Sequence, residues 1–495
     1  MNEADEPRTT RKREPKRRRK EKRARRDERQ RPERRGSRVH DIPRWPAVVL
    51  IPALLIAAAL AGDGTERATE ASDAVADART FGPTIASSES LGSFWFCAGG
   101  TGVEGGFADH SVVIVNTTAE ERLVDIWLYG SRPADGERPE PKRLTTTAKP
   151  FARTEQRLGA VLAAEYVSAT VEVDGGGVFV EHRISGPQGS DRAPCSSVAS
   201  NRWTVPFGAT DTTAAEAKAR EVLVFFNPYP ADAVIEATFS TEAGERGTPD
   251  AFKGLVVPGR GVVAVDLAAA SVTVSNEVTA QITARAGRVV VDRIQVYAEP
   301  AANRVGVALS AGAPAAAPSW VFPVGTISPS RREVLVVANN GTLPSEVDVE
   351  VRPTSGDAGA ELFAITVQPG RHVTLDLAEE LAAEGRLQEL AQEGVSYTVV
   401  VRTADGTDVT VERAVWETPG VPGGGVSSSV GTAVAGLRLA ADMTGAEAGS
   451  ALVVFNPSTE TVARVGVTIV GGGQERAPTG PSTFDIRPGE SRSIP

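Results

Sequence analysis

Cysteine is nearly missing from this 495-residue chain, which has two, Cys97 and Cys195. Histidine is as scarce. His40, His110, His182 and His372 are the whole set, and none stands at H-x-x-x-H spacing, which removes the usual zinc arrangements. Aromatic residues make up 5% of the chain, which weighs against a glycan-active enzyme, because sugar sites use exposed rings for stacking. No G-x-S-x-G elbow and no phosphate-binding Walker loop occurs. "GTGVEGG" fits G-x-G-x-x-G at Gly100, Gly102 and Gly105, but no helix pattern follows and no βαβ unit surrounds it. "DGTD" (Asp405–Asp408) could hold calcium loosely, and a hairpin turn explains it better. The sequence therefore selects no catalytic residue, no metal ligand, no cofactor and no small-molecule substrate.

Charge is present but divided. Residues 1–44 hold 19 Lys/Arg against 9 Asp/Glu, and the rest of the chain holds 34 against 54. The tail has almost no apolar residue, so disorder is expected for it. Between tail and body lies "RWPAVVLIPALLIAAALAG", in which Trp45 to Ala61 carries no charge. As a helix it would extend about 25 Å, slightly short of a bilayer core of about 30 Å. The basic side stays in the cytoplasm under the positive-inside rule, which puts the acidic body outside. The tail then serves topology and anionic lipid, and no nucleic acid partner is expected. Ala59-Leu60-Ala61 leaves a rival reading, a cleaved signal peptide. In either case the body is exported.

Four phrases repeat along that body: "SVVIVNT", "VLVFFNP", "VLVVANN" and "ALVVFNP". Their asparagines, Asn116, Asn227, Asn339 and Asn456, are 111, 112 and 117 residues apart. A Pro-Gly phrase follows three of them: Pro258-Gly259, Pro369-Gly370 and Pro488-Gly489, with the glycine 32, 31 and 33 residues after the asparagine. The first copy has only "AKPFARTEQRL" there. A third phrase is a hairpin of alternating β-branched runs, whose returning strand carries Glu181-His182, Asp292-Arg293 or Glu412-Arg413. A period of this length is a domain repeat rather than a solenoid.

Each copy reads as about seven short strands separated by turn signals, the pattern of a β-sandwich. In "DAVIEATF", Ala233, Ile235, Ala237 and Phe239 share one face, and Asp232, Val234, Glu236 and Thr238 the other. Pro after the asparagine ends the strand, and the asparagine side chain caps the turn. Neighbours on a strand point to opposite faces, so one member of each acid–base pair faces inward and needs a partner. A structural salt bridge follows. One segment alone reads as helix, Ala378–Gly394 with Leu377, Leu381, Leu387 and Leu390 near helical spacing.

The cysteines bracket the first copy, and in an exported chain they are expected to form a disulfide. A thiol nucleophile beside His110 or His182 is the open alternative. The expected organisation is a basic tail at 1–44, an anchor at 45–62 and a linker at 63–90. Sandwiches follow at 91–200 and 201–299, an Ala/Pro linker at 300–318, and a third sandwich at 319–418. A Gly/Pro/Ser linker at 419–429 leads to an incomplete fourth sandwich at 430–495. The last copy has no closing hairpin after Gly489. Its gap is expected to be covered by residues before Leu91, by another copy, or by a strand from a partner.

The phrases "RWTVPFGAT", "VLVFFNP", "GLVVPGRGVVAVDL" and "RVVVDRIQVY" resemble a repeat common in bacterial exported proteins. "SFWFCAGG" followed by "APCSS" resembles an actinobacterial family of membrane-anchored proteins of unknown function. The resemblance covers roughly residues 90–495, apart from the first Pro-Gly phrase and the short last copy. It implies an anchored extracytoplasmic protein and supplies no catalytic residues. The expected fold class is all-β: tandem immunoglobulin-like sandwiches after one transmembrane helix and a disordered tail. The expected function is a non-enzymatic scaffold or interaction protein of the cell envelope, with an envelope protein or wall polymer as partner. A glycan-active enzyme and a surface adhesin are the alternatives.

Overall fold

The computed structural model describes residues 84–211, 217–272, 275–354, 359–385, 396–418, 425–433, 438–441 and 451–494. The tail, the apolar segment at 45–62 and the linker up to residue 83 lie outside the described residues, as do residues 386–395 and 419–424. Among the described residues no helix is long and apolar enough to cross a membrane.

The chain is all-β, built from consecutive units of one design. The first unit holds β1 (Gly92–Cys97), β2 (Asp109–Asn116), β3 (Arg122–Gly130), β4 (Lys142–Ala148), β5 (Arg153–Arg157), β6 (Val167–Asp174), β7 (Val178–Gly186) and β8 (Gly189–Pro194). They form two four-stranded sheets, β1-β6-β3-β4 and β5-β2-β7-β8. The second unit holds β9 (Arg202–Val205), β10 (Ala219–Asn227), β11 (Ala233–Thr241), β12 (Gly244–Gly247), β13 (Lys253–Val257), β14 (Gly261–Asp266), β15 (Val278–Ala286), β16 (Val290–Glu299) and β17 (Arg304–Ala311). Its sheets are β12-β11-β15-β9, with β13 also on β11, and β14-β10-β16-β17. The third unit holds β18 (Ser319–Thr326), β19 (Arg331–Ala338), β20 (Ser345–Pro353), β21 (Glu361–Val367), β22 (His372–Asp376), β23 (Ser396–Thr403), β24 (Thr410–Glu417) and β25 (Gly425–Val430). Its sheets, β18-β23-β20-β21 and β22-β19-β24-β25, repeat the first unit's order.

Alternation explains each core. In β11, Ala233, Ile235, Ala237 and Phe239 are fully buried, and Val234, Glu236 and Thr238 are half-buried, which is the expected split. They meet Leu223, Phe225 and Val291 of the opposite sheet in one cluster. At roughly 1.5–3 kcal/mol for each large apolar side chain buried, such a cluster is the main support of the unit. Trp203 and Trp320 stand at equal places on the first strand of their units. Each donates its indole N–H across the core at 2.8 Å, to the carbonyls of Val289 and Val409.

The repeated asparagine is a clamp between the two sheets. All four are buried, and all make the same three bonds. Asn227 Nδ2 donates to the carbonyls of Ala231 (2.8 Å) and Val257 (3.1 Å), and its Oδ1 accepts from Tyr229 N at 3.0 Å. Asn116 does this with Glu120, Ala148 and Thr118, and Asn339 with Leu343, Val367 and Gly341. Asn456 does it with Thr461, Ile486 and Ser458. One side chain thus caps the turn out of its own sheet and holds the end of a strand in the other. Asn227→Ala would leave three backbone groups unpaired. We expect a loss of about 2–3 kcal/mol, with m unchanged, in denaturant unfolding.

The Pro-Gly phrase is not in one register. The residue in the left-handed region is Gly370 (φ 67°) in the third unit and Gly489 (φ 69°) in the last. In the second unit it is Arg260 (φ 50°), one place after Gly259, and in the first it is Phe151 (φ 48°). Gly259 is needed for another reason: a Cβ there would run into the carbonyl of Pro230.

The expectation of seven strands per unit and a linker at 300–318 is corrected. Within that span β17 pairs along its whole length with β16, so it is a further strand of the second unit, the ninth. β25 likewise pairs with β24, inside the linker expected at 419–429. The Ala-, Gly- and Ser-rich composition read as linker, but Val307 and Leu309 are buried.

The helix begins one residue before the expected Ala378 and stops earlier than its leucine spacing suggested. Helix α1 spans Leu377–Ala383, with Asp376 accepting from the N–H groups of Ala378 and Glu379. Gly385 takes a left-handed conformation (φ 73°) just after it, a helix-ending position. Leu377 and Leu381 are buried, while Leu387 and Leu390 lie outside the described residues.

Cys97 ends β1 and Cys195 follows β8, so the disulfide joins the two sheets of the first unit across 98 residues. The thiol-nucleophile alternative is thereby removed. Non-reducing peptide mapping should recover one peptide pair holding Cys97 and Cys195, and two alkylatable thiols in the native chain would contradict it.

Beyond the third unit come β26 (Leu452–Phe455), β27 (Ala463–Gly466), β28 (Ile469–Gly471), β29 (Gln474–Arg476), β30 (Thr483–Ile486) and β31 (Ser491–Ile494). They pair as β26-β31, β27-β30 and β28-β29. By alignment on the asparagine, β26 and β31 match β10 and β14 of the second unit, and β27 and β30 match β11 and β13. Among the described residues before Leu91, Thr84 bridges Leu439 and none pairs with β26.

Candidate functional site

The chemistry-bearing residues of the body collect where one unit meets the next. The acid–base pairs on β16 and β24 are split there. The base turns toward its own unit's core, and the acid, Asp292 or Glu412, turns outward into the preceding unit.

At the first joint, Asp292 of the second unit enters the first unit. Its Oδ2 accepts from Ala98 N (2.9 Å) and Gly99 N (2.8 Å), in the chain leaving β1. His182 Nε2 lies 3.6 Å from the same oxygen. His182 Nδ1 is 3.0 Å from His110 Nε2, and His110 Nδ1 donates to the Val167 carbonyl at 2.7 Å. The carbonyl fixes the tautomers. His110 carries its proton on Nδ1, so its Nε2 accepts from His182 Nδ1–H. The bare Nε2 of neutral His182 then faces Asp292.

Both rings are fully buried, and Asp292 is 2% exposed. Burial lowers His110 to about 4, against the pull of the Val167 hydrogen bond. Burial, then the neighbouring His110 ring, holds His182 well below its ordinary range. Burial raises Asp292 to about 7 despite the two N–H donors. At 3.6 Å the contact with Asp292 is longer than a hydrogen bond, and His182 Nε2 is buried without a hydrogen-bond partner. Asp191 of β8, whose Oδ2 accepts from Leu309 N at 2.8 Å, is also raised to about 7 by burial in this joint.

The second joint repeats the plan with charges. Glu412 of the third unit accepts from Phe207 N through Oε2 (3.2 Å) and from Arg293 Nη2 through Oε1 (2.6 Å). Ser428 donates to the same carboxylate and accepts from Arg293. Glu221 stands beside Arg293, fully buried, and burial raises it to about 8 against the attraction of Arg293. Phe207, Tyr297 and Trp416 close the joint with edge-on rings, at 5.7 Å for Phe207–Trp416 and 5.8 Å for Tyr297–Trp416.

Alignment makes the correspondence plain. His110, Glu221 and Glu333 each lie six residues before the clamp asparagine of their unit. Their partners are His182 on β7, Arg293 on β16 and Arg413 on β24. A glycine leaves room for each: a Cβ on Gly100 would enter the His110 ring, and one on Gly208 the Glu221 carboxylate. On Gly325 it would meet Tyr397 and Glu333. A hydroxyl secures the strand exit every time. Ser168 donates to Ala98 O (2.5 Å), Thr279 to Pro206 O (2.5 Å) and Thr398 to Pro323 O (2.8 Å). The sequence pointed to the acid–base pairs, Cys97 and Cys195. It missed His110, Glu221 and Glu333 as a set, although their constant distance from the asparagine was the signal.

One surface stands apart from the joints. Leu91, Phe94 and Leu123 are 96%, 56% and 50% exposed, beside Glu172 and Asp174 in an open cleft. It holds no histidine and no thiol. Among the described residues no group of three or more His, Cys, Asp or Glu side chains could hold a metal ion. His372, the fourth histidine, is 3.3 Å from Glu277 and 3.2 Å from Ser240 in a contact between the second and third units.

Fold and joints define a class: an all-β protein of tandem two-sheet units, locked to one another by buried polar clusters. A family of unknown function, DUF5719, matches residues 87–304, which takes in the first unit and the second as far as the start of β17. No curated protein matches. Among solved structures, the crystal structure of Thermotoga maritima 1070 is 14% identical. It aligns with 24% of this chain and 97% of its own, at a TM-score of 0.19.

Proposed function

We propose that the chain is a non-enzymatic, membrane-anchored extracytoplasmic scaffold or interaction protein of the bacterial cell envelope. On this reading the two-sheet units are immunoglobulin-like sandwiches, presented in a fixed array to an envelope protein or wall polymer. The observation that carries it is the use made of the reactive side chains. His110, His182 and Asp292, and Arg293 and Glu412, are buried and engaged with one another or with backbone groups, and Glu221 is enclosed beside Arg293 without a hydrogen bond of its own. Groups spent on fixing unit to unit are not available to a substrate. The charge step at Arg44 and the uncharged run from Trp45 to Ala61 support a single cytoplasm-to-outside anchor.

Protease added to spheroplasts tests the topology. Digestion of the repeats with the basic tail spared is the expected result, and digestion of the tail alone overturns it. Recovery of a soluble form beginning at Gly62 would replace the anchor by a cleaved signal peptide.

A further inference from the structure

Both filled joints follow one rule. A unit offers a backbone N–H at the exit of its first strand and a base on its acid–base strand (β7 or β16). A carboxylate from the next unit's acid–base strand (β16 or β24) enters between them. That carboxylate always stands opposite the residue three places before the next clamp asparagine: Asp292 opposite Val224, and Glu412 opposite Val336.

The third unit has the same socket. Val324 and Gly325 stand where Gly99 and Gly100, or Phe207 and Gly208, stand before it. Arg413 takes the place of Arg293, and Glu333 the place of Glu221. A register shift between Phe322 and Gly325 carries Pro323 and Val324 out of the ladder with β23. Among the described residues no carboxylate of another unit reaches this socket. Arg413 instead folds back. It donates to the Val324 carbonyl, lies 3.6 Å from Glu333 and sits 5.3 Å above the ring of Phe322.

A second observation points to the same place. The last unit is seated on the third: Ser491 and Thr398 share a hydroxyl hydrogen bond at 2.6 Å, and Arg352 donates to Gly489 O at 3.3 Å. Among the described residues β26 pairs on one side only, with β31. Its other edge is the one that β10 gives to β16 and β19 gives to β24. In both earlier units the strand on that edge delivers the acid.

We propose that the edge of β26 and the Arg413 socket form one binding site for a β-strand of a partner polypeptide. The strand runs antiparallel to β26, alternates apolar residues, and carries an Asp or Glu opposite Val453. Its main chain completes the sheet, and its carboxylate bonds Arg413 and the Val324 N–H, as Glu412 does with Arg293 and Phe207. The argument stands on the joints alone and does not depend on where the chain sits in the cell. The chemistry required is already written in the protein's own closing strands, "VVVDRIQ" and "VTVERAV".

A synthetic peptide copying residues 408–418 is the probe, added to the purified full chain. Amide exchange at Leu452–Phe455 should slow as the peptide is added, and a Glu→Gln peptide should bind at least tenfold more weakly. Arg413→Met in the chain should weaken the Glu peptide similarly and leave the Gln peptide unchanged. The last comparison is internal to one variant, so a general folding defect would not imitate it. Absence of binding at millimolar peptide overturns the proposal, as does binding indifferent to Glu→Gln. So does slow exchange at Leu452–Phe455 in the peptide-free monomer, which would mean the chain covers its own edge. Protection that grows with protein concentration alone would assign the site to a second copy and overturn the partner strand.

Discussion

Arg293→Met is expected to destabilise the second and third units by about 3–5 kcal/mol at neutral pH. The guanidinium is 1% exposed and is the cation between Glu412, which it bonds at 2.6 Å, and Glu221. Methionine fills a similar volume, so lost packing contributes little. What remains is two carboxyl groups in an apolar joint with no counter-charge, and desolvation of such groups is the dominant cost. The effect should shrink toward acid, where both carboxyls can take up protons. It should also shrink when both acids are removed. Arg293→Met with Glu221→Gln and Glu412→Gln leaves a neutral cluster in which Phe207 N still has an amide oxygen to meet. Hydrogen exchange on β16 and β24 would read the three variants. A loss under about 1 kcal/mol for Arg293→Met alone would mean that the joint is open to water, contrary to the burial of all three side chains.

That joint shows where the sequence stops being legible. Strand content, repeat period, the strand-ending role of Asn227 and its counterparts, and the Cys97–Cys195 bond are local properties. They follow from alternation, from proline's missing donor and from cysteine count. The acid–base pairs were legible as structural, because neighbours on a strand point to opposite faces. Which unit each face meets was not. That depends on how consecutive units stack, and stacking is set by side chains more than 100 residues apart, such as Arg293 and Glu412 (119 apart). The last strands of the second and third units were hidden for a different reason. "RVGVALSA" and "GVSSSV" have linker composition and become strands because β16 and β24 offer them an edge. Arg260 marks a third limit: Pro258-Gly259 looks like the turn glycine, yet the left-handed residue is the next one.

Asp292→Asn is expected to change how stability at the first joint depends on pH. Burial raises Asp292 from 3.8 to about 7 in the folded chain. In the unfolded chain it ionises near its ordinary value. Between these limits the folded state holds a proton that the unfolded state has released, so stability falls as pH rises, by about 1.4 kcal/mol per pH unit. The contribution of Asp292 is therefore complete below about pH 4. It is lost progressively up to about pH 7, for a total of about 4 kcal/mol. His110 and His182 act in the opposite sense. Their lowered values make the folded state less favourable as pH falls below the ordinary histidine range. Asp191, raised to about 7, adds a second loss of the same sign as that of Asp292. These groups are common to both proteins and drop out of the difference. Asparagine is neutral at every pH. Its carbonyl can accept from Ala98 N and Gly99 N as the carboxylate does. Relative to the wild type, the variant should gain stability steadily from pH 4 to pH 7 and then level off. Hydrogen exchange on β7 and β16 across that range would measure it. Parallel pH profiles for the two proteins would show that Asp292 is already ionised in the fold at acid pH, with His182 carrying the proton.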